Sequence, residues 1–80
     1  MTHHLKIMLN RFEAIKDCLK TFEIRKNDRN YKVGDTLVLH PVDSDNNVIH
    51  SFGYEPIHCD IVYIDDYEQK DDYVVLGICY

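Results

Sequence analysis

Residues 20–29, KTFEIRKNDR, are the stretch around which this 80-residue sequence is organised. As a β-strand it alternates, so Phe22 and Ile24 point to one face. The polar residues that point to the opposite face are Thr21, Glu23 and Arg25. We predict that Phe22 and Ile24 anchor the strand in a core, which leaves a face with both signs of charge. That face has two interpretations: a binding surface, or a solvated face whose Glu23–Arg25 pair adds little stability.

The length and composition are typical of one small domain, which we predict to span residues 1–80. No run of residues approaches the ~20 apolar residues that a membrane span needs. The first residues also lack the apolar core of a signal peptide. We therefore expect a cytoplasmic protein without a membrane segment.

The charge is unevenly distributed along the chain, whose net charge is −5. Residues 1–32 contain eight Lys and Arg against four acidic residues, or +4. Residues 33–80 contain one Lys against ten acidic residues, or −9. This polarity favours a surface that attracts a polyanion at short range, provided that the fold does not intermix the two halves.

The cysteines and histidines do not form a metal-binding or disulfide pattern. The three cysteines are odd in number and far apart, so we expect them to be reduced. The histidines lack ligand spacing, and we expect His3 and His4 to lie at a frayed terminus. Residues 43–47 lack the glycine and glutamate spacing of a calcium loop. The sequence predicts no metal and no cofactor.

A single helix is predicted near the start, after a short strand over residues 5–7. Apolar residues spaced by three or four indicate an amphipathic helix of about three turns over residues 9–19. Asn10 followed by Glu13 fits a capping box at its beginning. The apolar face, which includes Leu19, is expected to pack on the core.

Short strands make up most of the remaining chain. We predict strands over residues 36–40 (ended by Pro41), 48–51 (weak), 57–64 and 73–80. The last strand is apolar on both faces and should lie inside the sheet. In the strand over residues 57–64, Tyr63 should share a face with Ile57, Cys59 and Ile61. The fold class is thus mainly β (α+β): a small curved sheet or β-barrel with the amphipathic helix at its rim.

The segment from Cys18 to Arg25 resembles the ASCH (activating signal cointegrator homology) superfamily, whose hallmark is Gly-x-Lys-x-x-Glu-x-Arg. Lys20, Glu23 and Arg25 match the hallmark in type and spacing, whereas Cys18 replaces its glycine. A helix end often needs glycine for a left-handed residue, so the backbone at Cys18 should be strained. The segments that resemble a small stand-alone subgroup are residues 25–29, 33–35 and 73–78.

The resemblance implies a PUA-like fold with a cleft that holds RNA or a nucleotide-like ligand. Lys20 and Arg25 would bind phosphate there, Glu23 would accept hydrogen bonds from a base, and aromatic residues would stack. The ligand-binding residues that we predict are Lys20, Glu23, Arg25, Lys26, Arg29 and Tyr31. Other candidates for stacking are Phe52, Tyr54 and Tyr67.

Two alternatives remain open at this point. Some ASCH proteins are amidohydrolases on acetylated cytidine, for which the resemblance implies a lysine, a threonine and a distal glutamate. Lys20 matches, but Glu23 occupies the threonine position, Thr21 lies at another step of the strand, and Glu68 is a poor counterpart of the distal acid. The other alternative is a protein-interaction module that uses residues 52–56 or an edge strand, with a weak homodimer as one form.

Overall fold

The alternating and apolar runs of the sequence form five strands in the computed structural model, which describes residues 1–80. The elements in chain order are β1 (Thr2–Met8), α1 (Leu9–Lys16), β2 (Phe22–Lys26), β3 (Thr36–Val42), β4 (Ile57–Asp65) and β5 (Tyr73–Cys79). The prediction of a mainly β protein with one early helix is confirmed. Helix α1, with eight residues, is too short to cross a membrane.

The strands form one sheet in the order β1-β3-β4-β5-β2. Three neighbouring pairs are antiparallel, while β1 and β3 are parallel. Strand β5 lies inside the sheet, as predicted, and β1 and β2 are its outer strands. The sheet curls like half a barrel, so that Arg25 of β2 donates a hydrogen bond to the carbonyl oxygen of Lys6 in β1 at 2.9 Å.

The core lies on the concave face of the curled sheet, where the inward residues of the strands meet α1. Phe12 and Ile15 of α1 are each 1% exposed, and they belong to one cluster of 13 buried residues. The strands supply Leu37, Leu39, Ile61 and Leu76 as its fully buried residues. A helix of two turns is unstable in isolation, so this packing holds α1 in place.

Strand β2 alternates as predicted, but with the opposite face buried. Glu23 is 3% exposed, whereas Phe22 and Ile24 are 43% and 52% exposed. The prediction that Phe22 and Ile24 anchor the strand is therefore wrong. The buried face is polar because two cations neutralise Glu23 there.

Helix α1 is shorter than predicted and lacks the predicted cap. Its N-cap is Met8, which makes no side-chain capping bond, so the Asn10–Glu13 capping box is wrong. The reason is that β1 runs into the helix without a loop. The helix ends at Lys16, and Leu19 is 82% exposed. Cys18 follows in the left-handed region (φ 59°), where the ASCH hallmark has glycine.

Three strand predictions are corrected in detail. Strand β3 continues through Pro41, which has no N–H to donate to a neighbouring strand. The proline is tolerated because the pairing of β3 with β4 ends at Leu39. Beyond that point the Pro41 carbonyl accepts a hydrogen bond from the amide of Ile49. Residues 48–51 form one isolated bridge at Val48 rather than a strand. Tyr63 is 64% exposed because a bulge between Ile61 and Tyr63 reverses the alternation of β4.

The beginning of the chain is an ordered strand, so the predicted frayed terminus is wrong. His3 is 5% exposed, and its Nε2 lies 2.8 Å from Oδ2 of Asp35. The amide of Lys32 donates to the same oxygen at 3.1 Å. The hydrogen bond from His3 is the main cause that lowers the pKa of Asp35 to about 2. This contact fastens β1 to the turn before β3.

The Asp35 contact predicts a specific loss of stability in acid. Because the pKa of Asp35 is lowered in the folded protein, its stabilisation is present above its ordinary pKa, about 3.9, and is lost as the pH falls towards about 2. Asp35→Asn should thus be less stable than the wild type at pH 6, and the difference should shrink between pH 4 and 2. Urea unfolding across this range measures both proteins, and a constant difference would contradict the prediction.

Candidate functional site

A cleft of about 670 Å³ separates the two outer strands of the sheet. It is lined by residues 6–8, Arg11, Lys20, residues 22–26 and Tyr73, and we refer to it as the β1–β2 cleft. The cleft is the gap that remains because the curled sheet does not close into a full barrel.

The register of β2 directs main-chain groups into this gap. The amide of Ile78 donates to the carbonyl of Thr21, and the amide of Asn27 donates to the carbonyl of Asp72. The main-chain groups of the odd-numbered residues between 21 and 27 therefore bond to β5. In an antiparallel ladder the main-chain groups of successive residues point to opposite sides, so those of the even-numbered residues point away from β5, towards the gap. Accordingly, the carbonyl of Phe22 accepts a hydrogen bond from the ammonium of Lys20.

The buried carboxylate of Glu23 organises the inner wall of the cleft. Its Oε1 accepts a hydrogen bond from Lys20, and its Oε2 accepts one from Nε of Arg25 at 3.0 Å. The Lys20 and Arg25 side chains are 17% and 23% exposed, so both cations reach the cleft from beside the carboxylate. Arg25 also spans the gap to Lys6, as described above. Glu23 thus holds both cations in fixed positions.

This arrangement favours binding over acid–base catalysis by Glu23. Each oxygen of its carboxylate accepts a hydrogen bond from a cation, and the side chain is only 4% exposed, so little of it is open to the proton that a general base removes. Thr21, the hydroxyl residue of the enzyme hypothesis, is exposed and does not line the cleft. Apart from the Tyr73 hydroxyl, the side-chain donors that line the cleft are cationic.

The cleft concentrates the positive charge of the molecule. It contains five of the nine Lys and Arg residues and one of the fourteen acidic residues, which gives a local charge of +4. The remaining four cations and thirteen acidic residues carry −9. The electrostatics and size of the cleft suit a small or narrow anionic ligand.

The sequence matches the family described as "Domain of unknown function (DUF3850)" over residues 2–78. The chain belongs to this family. It is also similar to the "Uncharacterized 12.9 kDa protein in GpA 3'region" of Escherichia phage P2, with 45% identity over 38 residues. That region is 48% of this chain and 35% of the phage protein, so the match covers about a third of the length of this relative.

The predicted ligand-binding residues of this DUF3850 member divide into two groups. Lys20, Glu23, Arg25 and Lys26 line the cleft together. Arg29 does not line it and is exposed in the connection after β2. Tyr31 is 6% exposed in the core, its ring centroid 4.9 Å from that of His3, and this burial raises its pKa. Tyr31 is therefore placed to pack the core of the DUF3850 domain rather than to stack on a ligand.

Seven residues of the cleft were not predicted from the sequence as site residues: Lys6, Ile7, Met8, Arg11, Phe22, Ile24 and Tyr73. Phe22 lies close to the charged trio, since Nζ of Lys20 is 4.7 Å from its ring centroid. The predicted stacking residues lie elsewhere, with Tyr54 against Phe12 and with Phe52 and Tyr67 outside the cleft. The charge of residues 1–32 was the one feature of the sequence that pointed to Lys6 and Arg11.

No three histidine, cysteine or carboxylate side chains lie close enough together to hold a metal ion. Of the three cysteines, Cys59 is buried, while Cys18 and Cys79 are exposed. Burial raises the pKa of the Cys59 thiol to about 11, so this residue behaves as a small apolar side chain.

Proposed function

We propose that this chain is an ASCH-type, PUA-like domain that binds RNA or a nucleotide-like ligand in the β1–β2 cleft, and that it does so in the cytoplasm. The observation that carries the proposal is the local charge of +4 in a molecule whose net charge is −5. Such a concentration of cations in one concave site favours an anionic ligand, because their fields add within the cleft.

The cleft offers different groups to the different parts of a nucleotide. Arg11 and Lys26 line its walls without an ion pair to any carboxylate, so both are free to bind phosphate. Arg25 uses Nε and Nη2 within the protein and retains further donors for the ligand. The rings of Phe22 and Tyr73 lie in the same cleft and provide surfaces for stacking of a base.

Two observations support the ASCH-type assignment within this proposal. Lys20, Glu23 and Arg25, the matched residues of the hallmark, are joined by hydrogen bonds in one cleft. Cys18 has a positive φ where the hallmark has glycine, a residue that adopts this conformation without strain. The backbone conformation at position 18 is therefore the one that the glycine of the hallmark would adopt, although the residue there is cysteine.

Removal of the free cations is the direct test. Arg11→Gln and Lys26→Gln should each weaken binding of a fluorescently labelled single-stranded RNA about fivefold or more at about 0.1 M salt, since one hydrogen bond contributes a net free energy on the order of 1 kcal/mol. The double variant should lose about twentyfold or more. Fluorescence anisotropy measures these affinities, and the slope against salt should become shallower in each variant.

The matched control is Lys32→Gln, which removes an equal charge from an exposed position outside the cleft. Its affinity should stay within about twofold of the wild type, because at about 0.1 M salt, where the Debye length is about 10 Å, the field of an exposed charge that does not contact the ligand is largely screened. Equal losses in all three single variants would show nonspecific attraction and would overturn the assignment of the cleft.

A further inference from the structure

The net charge changes sign between the residues that line the β1–β2 cleft and the rest of the molecule. Outside the cleft, four cations stand against thirteen acidic residues, a charge of −9. A polyanion that continued beyond the cleft would face this surface, and each additional phosphate would be repelled at short range. The charge therefore restricts the length of an anionic ligand as well as attracting it.

One end of the cleft lies next to an acidic segment, the connection between β4 and β5, which we call the acidic border. Residues 65–72 contain five carboxylates and one lysine, and Tyr73, which lines the cleft, follows directly. The main chain fixes this connection beside β2, because the amide of Asn27 donates to the carbonyl of Asp72 at 2.6 Å. Lys26, the last cation of the cleft, pairs with Tyr73 in the sheet. Asp71 and Asp72 are exposed next to this end of β2, so we expect a strand that passes Lys26 to approach their carboxylates.

The volume of the cleft agrees with this restriction. At about 670 Å³ it lies within the range of small-molecule sites, roughly 300–1,000 Å³. Grooves that track single-stranded nucleic acid have a continuous basic surface, over about 4–16 nucleotides in an OB-fold. The β1–β2 cleft lacks that continuity because acidic surface succeeds it.

We propose that the cleft binds a short phosphorylated ligand, of mononucleotide or dinucleotide size, and does not track a continuous RNA strand. This inference rests on the proposed function and specifies its ligand class. A free nucleotide and the phosphorylated end of an RNA both present a phosphate and one or two bases. Ligands of graded length distinguish binding of such a short group from binding along a continuous strand.

The test is a length series of 5′-phosphorylated ligands: the four nucleoside monophosphates, mixed dinucleotides, 6-mers and 12-mers, titrated by calorimetry. We expect a gain of up to tenfold from mononucleotide to dinucleotide and less than twofold from dinucleotide to 12-mer. The salt dependence of the 12-mer should correspond to about two or three phosphates, a slope near −1.4 to −2.1. A 12-mer that binds more than tenfold tighter than the dinucleotide, with a steeper slope, would overturn the inference but leave the proposed function intact. Absence of binding at every length would overturn both.

A second variant tests the acidic border itself. The triple substitution Asp66→Asn, Asp71→Asn and Asp72→Asn removes three charges whose side chains make no hydrogen bond or ion pair in the fold. It should strengthen 12-mer binding at least threefold and change mononucleotide binding by less than twofold. Equal changes in affinity for both ligands would show a general charge effect and would contradict the claim that residues 65–72 limit the length of the ligand.

Discussion

Arg25→Ala is expected to lower the free energy of unfolding by about 3 kcal/mol, because it leaves the buried Glu23 carboxylate with one cation instead of two. This loss of stability should be smaller than the largest losses seen when a buried ion pair is broken, since the Arg25 side chain is 23% exposed and water can partly replace it. The variant also loses the bond across the gap to Lys6, so the two outer strands should separate more easily. Urea unfolding measures the effect.

The control replaces the whole charged group by apolar residues: Lys20→Met, Glu23→Leu and Arg25→Met together. Replacement of a buried ionic group by apolar residues of similar volume is often neutral or stabilising, so this variant should recover most of the loss. Its affinity for RNA and nucleotides should nevertheless fall, which separates the role in binding from the role in folding. If Arg25→Ala costs less than about 1 kcal/mol, Glu23 is solvated and does not organise the site.

Strand β2 shows which part of a site can be predicted from local sequence. The alternation of Phe22, Glu23 and Ile24 correctly predicted which residues share a face. It did not predict which face is buried, because apolar residues usually are, whereas a glutamate is almost never buried unless it is paired. The exception arises because Lys20 precedes the strand and Arg25 follows two residues after Glu23, so that both cations reach its carboxylate.

Long-range pairing explains most of what was missed. The apolar strands β4 and β5 were predicted, since their burial follows from their own composition. The parallel pairing of β1 with β3 is a contact between distant segments, and it orders His3 and carries Lys6 to the cleft. Tyr63 was assigned to the wrong face because a bulge depends on the partner strand as well as on the strand itself.

Phe12→Ala is expected to lower the free energy of unfolding by about 3–5 kcal/mol, the usual cost of removing a buried phenyl ring. Phe12 is 1% exposed and, with Ile15, attaches the eight-residue helix α1 to the sheet. The helix is too short to persist without this packing. Because Arg11 lies on the same helix and lines the cleft, loosening of α1 should also weaken ligand binding severalfold. Urea unfolding and anisotropy measure the two effects.

Leu19→Ala is the matched control, since Leu19 is 82% exposed beyond the end of α1 and its truncation should change stability by less than about 0.5 kcal/mol. Amide exchange separates local from global opening in Phe12→Ala: faster exchange in residues 9–16 than in β4 and β5 is expected, because the sheet keeps its own core. A stability loss below about 1 kcal/mol would mean that the helix is held mainly by its connection to β1. Unchanged ligand affinity, measured where Phe12→Ala is still folded, would show that Arg11 does not need a fixed helix to reach the ligand.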